Sequence, residues 1–253
     1  NLKNTLEWVK YLETLNYQSY LNDFSSTEFK LFDQLFNELN INESINNLFE
    51  GKRINHTEDR PALHHLYRSR GPKKDFNFFK ICKPFLTNIN KKNYKNIITF
   101  GIGGSYEGPK LLQEFTLNNS HKLNYLFISG PDKDEFNSII KPILGQKNLY
   151  IFSSKSLNTE EILTCMKWLG KDKIINSSLV ITSNPIQAQS LGFLKESIIQ
   201  FPESIGGRYS IWSPISLSAS IENNFSNFLR GGRAADTFLF GKSSEAKRYQ
   251  KLI

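Results

Sequence analysis

Three stretches of the chain combine residue types that chemistry can use. The first is Gly101-Ile102-Gly103-Gly104-Ser105-Tyr106-Glu107-Gly108-Pro109, directly after the apolar run Asn96-Ile97-Ile98-Thr99-Phe100. Beyond Pro109 the apolar spacing (Leu111, Leu112, Phe115) is helical, so the stretch reads as strand, loop, helix. Glycines at such a junction let backbone N–H groups approach a ligand, and the positive end of the following helix favours an anion. Named motifs fail here on particular residues. A dinucleotide fingerprint from Gly101 requires glycine at Tyr106, a P-loop from Gly103 meets Pro109 where lysine is required, and a nucleophile elbow around Ser105 requires glycine at Glu107. What remains is a glycine turn with one hydroxyl, which suits a small phosphorylated ligand and equally suits a tight connection.

The second stretch is Ser153-Ser154-Lys155-Ser156-Leu157-Asn158-Thr159-Glu160-Glu161. Asn158 and Glu161 have the spacing of a capping box, so a helix is expected to open there. Ser154, Ser156 and Thr159 place hydroxyl donors beside its N-terminus, which makes either a phosphate cradle that needs no metal or an ordinary Ser/Thr-rich cap. The third is Gly206-Gly207-Arg208-Tyr209-Ser210-Ile211-Trp212-Ser213, where a double glycine turns the backbone beside a permanent cation. Tyr209, Ile211, Trp212, Ile215 and Leu217 are expected to anchor a following helix.

Elements must position these loops. Residues 1 to about 50 are helical in pattern, with Leu6, Val9, Leu12 and Leu15 on one face and Phe29, Phe32, Leu35, Phe36 and Leu39 on another. Asn55 and Thr57 are placed to cap a helix begun by Pro61, with Leu63 and Leu66 inward. His64 and His65 would point about 100° apart on that helix, and nothing completes a metal set, so no metal site is expected. Gly71-Pro72-Lys73-Lys74 reads as a linker and sets the first boundary, with 1–74 a helical region, 75–222 an α/β domain and 223–253 the start of a further domain. Short apolar strands at Asn96–Phe100, Tyr125–Ser129, Leu149–Ser153 and Leu179–Thr182, with Ile198–Phe201 as a fifth, alternate with helical segments near Pro109–Leu117, Lys133–Ile140, Asn158–Leu169 and Pro185–Leu191. Fully apolar strands separated by helices imply a doubly wound parallel sheet covered on both faces. In such sheets ligands bind beyond the carboxyl ends of the strands, where all three loops fall.

Composition excludes several classes. No run of about 18 apolar residues exists, so no membrane span is expected. Cys82 and Cys165 lie far apart without partner spacing, which argues against a disulfide framework or zinc site and suits a reducing compartment such as the cytoplasm. The net charge of +8 comes from Lys and Arg spread along the chain, with no basic block interleaved with aromatics, so nucleic acid is not expected as a partner. The chain opens on Asn1 and stops after a charged, helix-like segment with no capping residue, and we expect a longer protein around it.

Together, Ile102-Gly103-Gly104-Ser105 with Gly108-Pro109, Ser154 through Glu161, and Gly206 through Ser213 resemble the glucose-6-phosphate isomerase family, and Asn55-His56-Thr57-Glu58 through Leu63-His64 is similar to its early helix. The resemblance runs from about residue 50 onward. It implies the sugar-isomerase fold with a five-stranded parallel sheet and interconversion of glucose 6-phosphate and fructose 6-phosphate without a cofactor. It also implies a homodimer with residues shared across subunits. Carried over by position, it implies that Gly104 and Ser105 contact the sugar phosphate, and that Ser154, Lys155, Ser156 and Thr159 hold the phosphoryl group. Gly207 and Arg208 then lie at the reacting carbons. In the family's mechanism a glutamate moves a proton between C1 and C2 while an arginine, here Arg208, stabilises the cis-enediolate. Departures are Tyr106 for a usual aspartate, Ser156 and Asn158 for threonines, and differences at Glu203 and Pro214. The glutamate, histidine and lysine of the family mechanism are implied to come from sequence downstream of the match. None of Glu203, Glu222 or Glu245 has the matching context. A sugar-phosphate-binding module without catalysis is the alternative, for which Gly206-Gly207-Arg208 would be unnecessary.

Overall fold

The computed structural model describes residues 25–115 and 122–239. The expected helix over Leu6–Leu15, the end of the helix at Leu117 and Glu245 lie outside these residues. Among the described residues the chain forms two compact units, one from the described parts of Asn1–Pro61 and Asn227–Ile253, the other Ala62–Ser226.

In the first unit, α1 (Ser26–Glu38) opens on a full capping box: Ser25 Oγ accepts from Glu28 N, and the Glu28 carboxylate accepts from Ser25 N at 2.7 Å. α2 (Ile41–Glu50) ends at Gly51, whose φ of 74° is the left-handed conformation that closes helices. Asn55 and Thr57 do not cap a helix at Pro61. Thr57 Oγ1 donates to Asn55 Oδ1 at 2.8 Å, and Asn55 pairs with Arg60 across a turn in which Asp59 has φ 45°. Once its caps bond to each other the helix start is lost, and a single 3-10 helix, His64–Arg68, forms instead, within the second unit.

The second unit holds a five-stranded, all-parallel sheet. Its elements in order are α3 (Phe78–Lys91), β1 (Asn96–Phe100), α4 (Glu107–Phe115), β2 (Asn124–Ile128), α5 (Lys133–Ile140), β3 (Asn148–Ser153), α6 (Glu160–Leu169), α7 (Lys171–Ser177), β4 (Ser178–Thr182), α8 (Pro185–Ser190), β5 (Ile198–Gln200) and α9 (Leu217–Ser220). α10 (Phe225–Leu239) closes the described chain. The Gly71–Lys74 stretch lies inside this unit, where the Tyr67 and Phe76 rings on either side of it meet edge to face at 5.4 Å.

Side chains alternate across the strands. Ile98, Phe100, Tyr150, Phe152 and Val180 face one cluster with Phe136 and Ile140 of α5, Ile162, Cys165 and Met166 of α6, and Ala188 of α8. Phe100 stacks on Phe152 at 4.7 Å between neighbouring strands. The alternate positions Ile97, Thr99, Ile151 and Ile181 are fully buried as well, so both faces are covered, as parallel strands require. Polar side chains order the lower edge: Asn124 Nδ2 donates to Asn96 Oδ1 at 3.0 Å, and Asn96 Nδ2 donates to Asn148 Oδ1 at 2.7 Å. This asparagine ladder ties the amino ends of β2, β1 and β3 together. The strand order is β2-β1-β3-β4-β5. Winding therefore reverses between β1 and β3, and the loops leaving these two strands diverge around a crevice at their carboxyl ends.

Candidate functional site

Two of the three loops begin side by side at that crevice, because Phe100 at the end of β1 is paired with Phe152 of β3. After β1 the chain makes a 3-10 turn over Gly103–Ser105, entered through Gly103 at φ 53°. The third loop presses against this turn. A Cβ placed on Gly104 would stand 1.8 Å from the carbonyl oxygen of Gly207, so the two backbones meet at a distance only glycine permits. Ser210 fastens the contact, its hydroxyl lying 3.1 Å from the Gly104 carbonyl and 2.7 Å from that of Gly207. Gly104, Ser105, Gly207 and Arg208 thus share one patch of backbone although about a hundred residues separate them in sequence.

Residues 207–212 form a 3-10 helix rather than a simple turn. His64 stacks on Tyr209 at 4.3 Å, the Arg68 guanidinium lies 4.6 Å from the Trp212 ring, and Leu63 N donates to Ser204 O at 3.2 Å. These contacts fix the segment from behind and leave Arg208 exposed. Among the described residues, neither the Arg208 guanidinium nor the Ser105 hydroxyl has a hydrogen-bond or ion-pair partner. A permanent cation and a hydroxyl donor are therefore available beside the crevice.

The loop after β3 is built around Leu157, which is fully buried and holds a left-handed φ of 57°. A branched side chain in that conformation costs about 1–2 kcal/mol. The loop is held by Ser154, whose Oγ accepts from Leu157 N at 3.2 Å and lies 3.0 Å from Thr159 Oγ1. Lys155 is tied down by its carbonyl, which accepts from Thr182 Oγ1 at 2.8 Å, Ser183 N at 3.0 Å and Ser183 Oγ at 2.8 Å. Ser156 is exposed and accepts from Asn158 N at 3.3 Å. The expected capping box does not form. Thr159, not Asn158, is the N-cap of α6 and its side chain makes no capping bond; Ile162 N donates to Thr159 O at 3.1 Å, and among the described residues Glu160 N and Glu161 N are left to another acceptor.

Tyr106 packs edge-on against Phe127 at 6.1 Å, and its hydroxyl accepts from Lys110 Nζ at 3.0 Å, which raises the lysine pKa. Glu222 is spoken for by structure: its carboxylate accepts from Lys122 N, Leu123 N and Tyr125 Oη at 3.0–3.2 Å. Ser210, Thr182, Ser183 and His64 support the site without having been singled out for that role in the sequence. A hydroxyl bridging two loops about a hundred residues apart leaves no local pattern.

A protein-family model described as phosphoglucose isomerase matches residues 20–76 and 86–248. A glucose-6-phosphate isomerase of Buchnera aphidicola is 30% identical over 235 residues, covering 82% of this chain and 43% of the relative. One from Legionella pneumophila is 29% identical over 262 residues, covering 92% of this chain and 52% of the relative. Among solved structures, a glucose-6-phosphate isomerase from Chlamydia trachomatis superimposes with a TM-score of 0.73 at 21% identity, over 89% of this chain and 48% of that one. The chain spans about half the length of the curated relatives it matches. With a family match over most of its own length, this chain belongs to the phosphoglucose isomerase family.

Proposed function

We propose that the crevice at the ends of β1 and β3 is the phosphate-gripping half of an aldose–ketose isomerase acting on glucose 6-phosphate and fructose 6-phosphate. The observation that carries this reading is the backbone contact of Gly104 with Gly207, which sets the residue after Gly207, the exposed Arg208, next to the glycine turn. Ser154, Lys155, Ser156 and Thr159 take the phosphoryl oxygens together with the open first turn of α6, while Gly104 and Ser105 hold the near side of the sugar phosphate. The grip requires no metal, since hydroxyls, amides and a helix N-terminus suffice for a phosphate. Gly207 and Arg208 then lie along the carbon chain. As negative charge develops on the cis-enediolate, a fixed guanidinium lowers the barrier by several kcal/mol, as such preorganised charges do in general.

The reading assigns no general base to this chain, and Glu222 is excluded by its structural hydrogen bonds. The 253 residues alone are expected to bind the sugar phosphate weakly and not to turn it over. A coupled assay on the isolated chain, paired with titration of fructose 6-phosphate against fructose, tests this. Weak binding of the phosphorylated sugar only, with no turnover, is the expected result, and rates near those of a full isomerase would overturn it. The setting proposed is the cytoplasm. Cys82 and Cys165 suit it, being buried free thiols, with burial holding Cys165 up at about 11.

A further inference from the structure

At the opposite end of the sheet from the crevice is a hollow of about 360 Å³. It is a half-open hollow bordered by the segments that lead into three strands: Lys92 and Tyr94 before β1, Gly145 to Lys147 before β3, and Lys173, Asn176 and Ser177 before β4. Lys92, Lys147 and Lys173 line it, and among the described residues no aspartate or glutamate does. The positive charge that looks dispersed in sequence is thus gathered here by the fold. Among the described residues none of the three lysines has a carboxylate within ion-pair distance. The side chains of Asn176 and Ser177 add donors that have no hydrogen-bond partner among the described residues.

The walls are fixed in advance. Lys147 carbonyl accepts from Lys95 N at 2.8 Å, Lys147 Nζ donates to the Lys92 carbonyl at 3.2 Å, and Asn148 Nδ2 donates to Ile143 O at 2.9 Å and Tyr150 Oη at 3.2 Å. A strand the length of β3 spans about 20 Å, so the hollow and the crevice cannot share one small ligand. We infer that this hollow is a second binding site, taking a small polyanion with phosphate or carboxylate groups. Lysine ammoniums act as point charges without the planar fork of arginine, which suits them to either group. The volume matches a small metabolite, whereas single-stranded nucleic acid needs an extended groove with exposed stacking aromatics.

The test is an NMR titration of the chain with inorganic pyrophosphate at constant ionic strength. Saturable shifts are expected for backbone amides in 145–148 and 173–177, and they should persist in Arg208→Ala and in the presence of fructose 6-phosphate. The Lys147→Gln, Lys173→Gln double variant should weaken the apparent affinity about tenfold or more. Lys92→Gln, an exposed loop change, should weaken it as well and serves if the double variant does not fold. Shifts confined to 101–105 and 154–159, shifts that never saturate, or affinity unchanged in the glutamine variants would overturn the assignment.

Discussion

Gly104 is the residue on which the site's geometry turns. Gly104→Ala drives a methyl into the Gly207 carbonyl, and forcing an extra carbon into packed structure costs about 1–3 kcal/mol. It should also part the two loops and abolish sugar-phosphate binding. Gly206→Ala is the control, because no described residue lies within 4 Å of a Cβ there and its φ of −77° suits any residue. Urea denaturation of the two variants should show a clear loss for the first and a change within about 0.5 kcal/mol for the second. Equal stabilities would mean that the close approach is not real. Arg208→Ala should leave the urea midpoint unchanged, since the side chain is exposed and has no partner among the described residues, while binding of fructose 6-phosphate is lost. A fall in stability would assign the arginine a structural role.

At the scale of elements, Glu222 clamps the start of edge strand β2 by accepting two backbone N–H groups and the Tyr125 hydroxyl. Glu222→Ala leaves part-buried donors unpaired and should cost about 1–3 kcal/mol, measured by thermal or urea unfolding. No change would show that water replaces the carboxylate. Most elements of the sheet unit were legible. β1 and α5 stand as the residue pattern placed them, and the other strands within about a residue, because fully buried parallel strands are uninterrupted apolar runs. α3 was missed because Pro84 sits inside it, and α7 because it follows α6 with only Gly170 between. The helix expected from Pro61 failed for a different reason: Asn55 and Thr57 bonded to each other. Of the candidate site, the residue types of all three loops could be read, but the Gly104–Gly207 contact could not. Nor could the lysine hollow, since each depends on residues brought together only by the sheet.

Across the whole molecule, burial above all raises the phenol pKa values of Tyr67, Tyr125 and Tyr150 above their ordinary 10.0, with Glu222 adding to the effect at Tyr125. A raised folded-state pKa contributes stability that is complete below the unfolded value and is lost as pH rises beyond it. The thiols of Cys82 and Cys165, raised above their ordinary 9.0 by burial, bring the onset lower, so the unfolding temperature should begin to fall above about pH 8 to 9 and more steeply above about pH 10, where Tyr125→Phe should lessen the slope. A fall already at neutral pH would point to other groups. On the proposed function, one hexose phosphate spans the loops after β1 and β3 and the arginine segment. A crystal structure of the chain with fructose 6-phosphate measures this directly. The phosphate should lie within hydrogen-bond reach of Ser154 and the first turn of α6, with the carbonyl end of the sugar toward Arg208. Sugar phosphate found only in the lysine hollow, or bound out of reach of Ser105, Ser154 and Arg208, would contradict it.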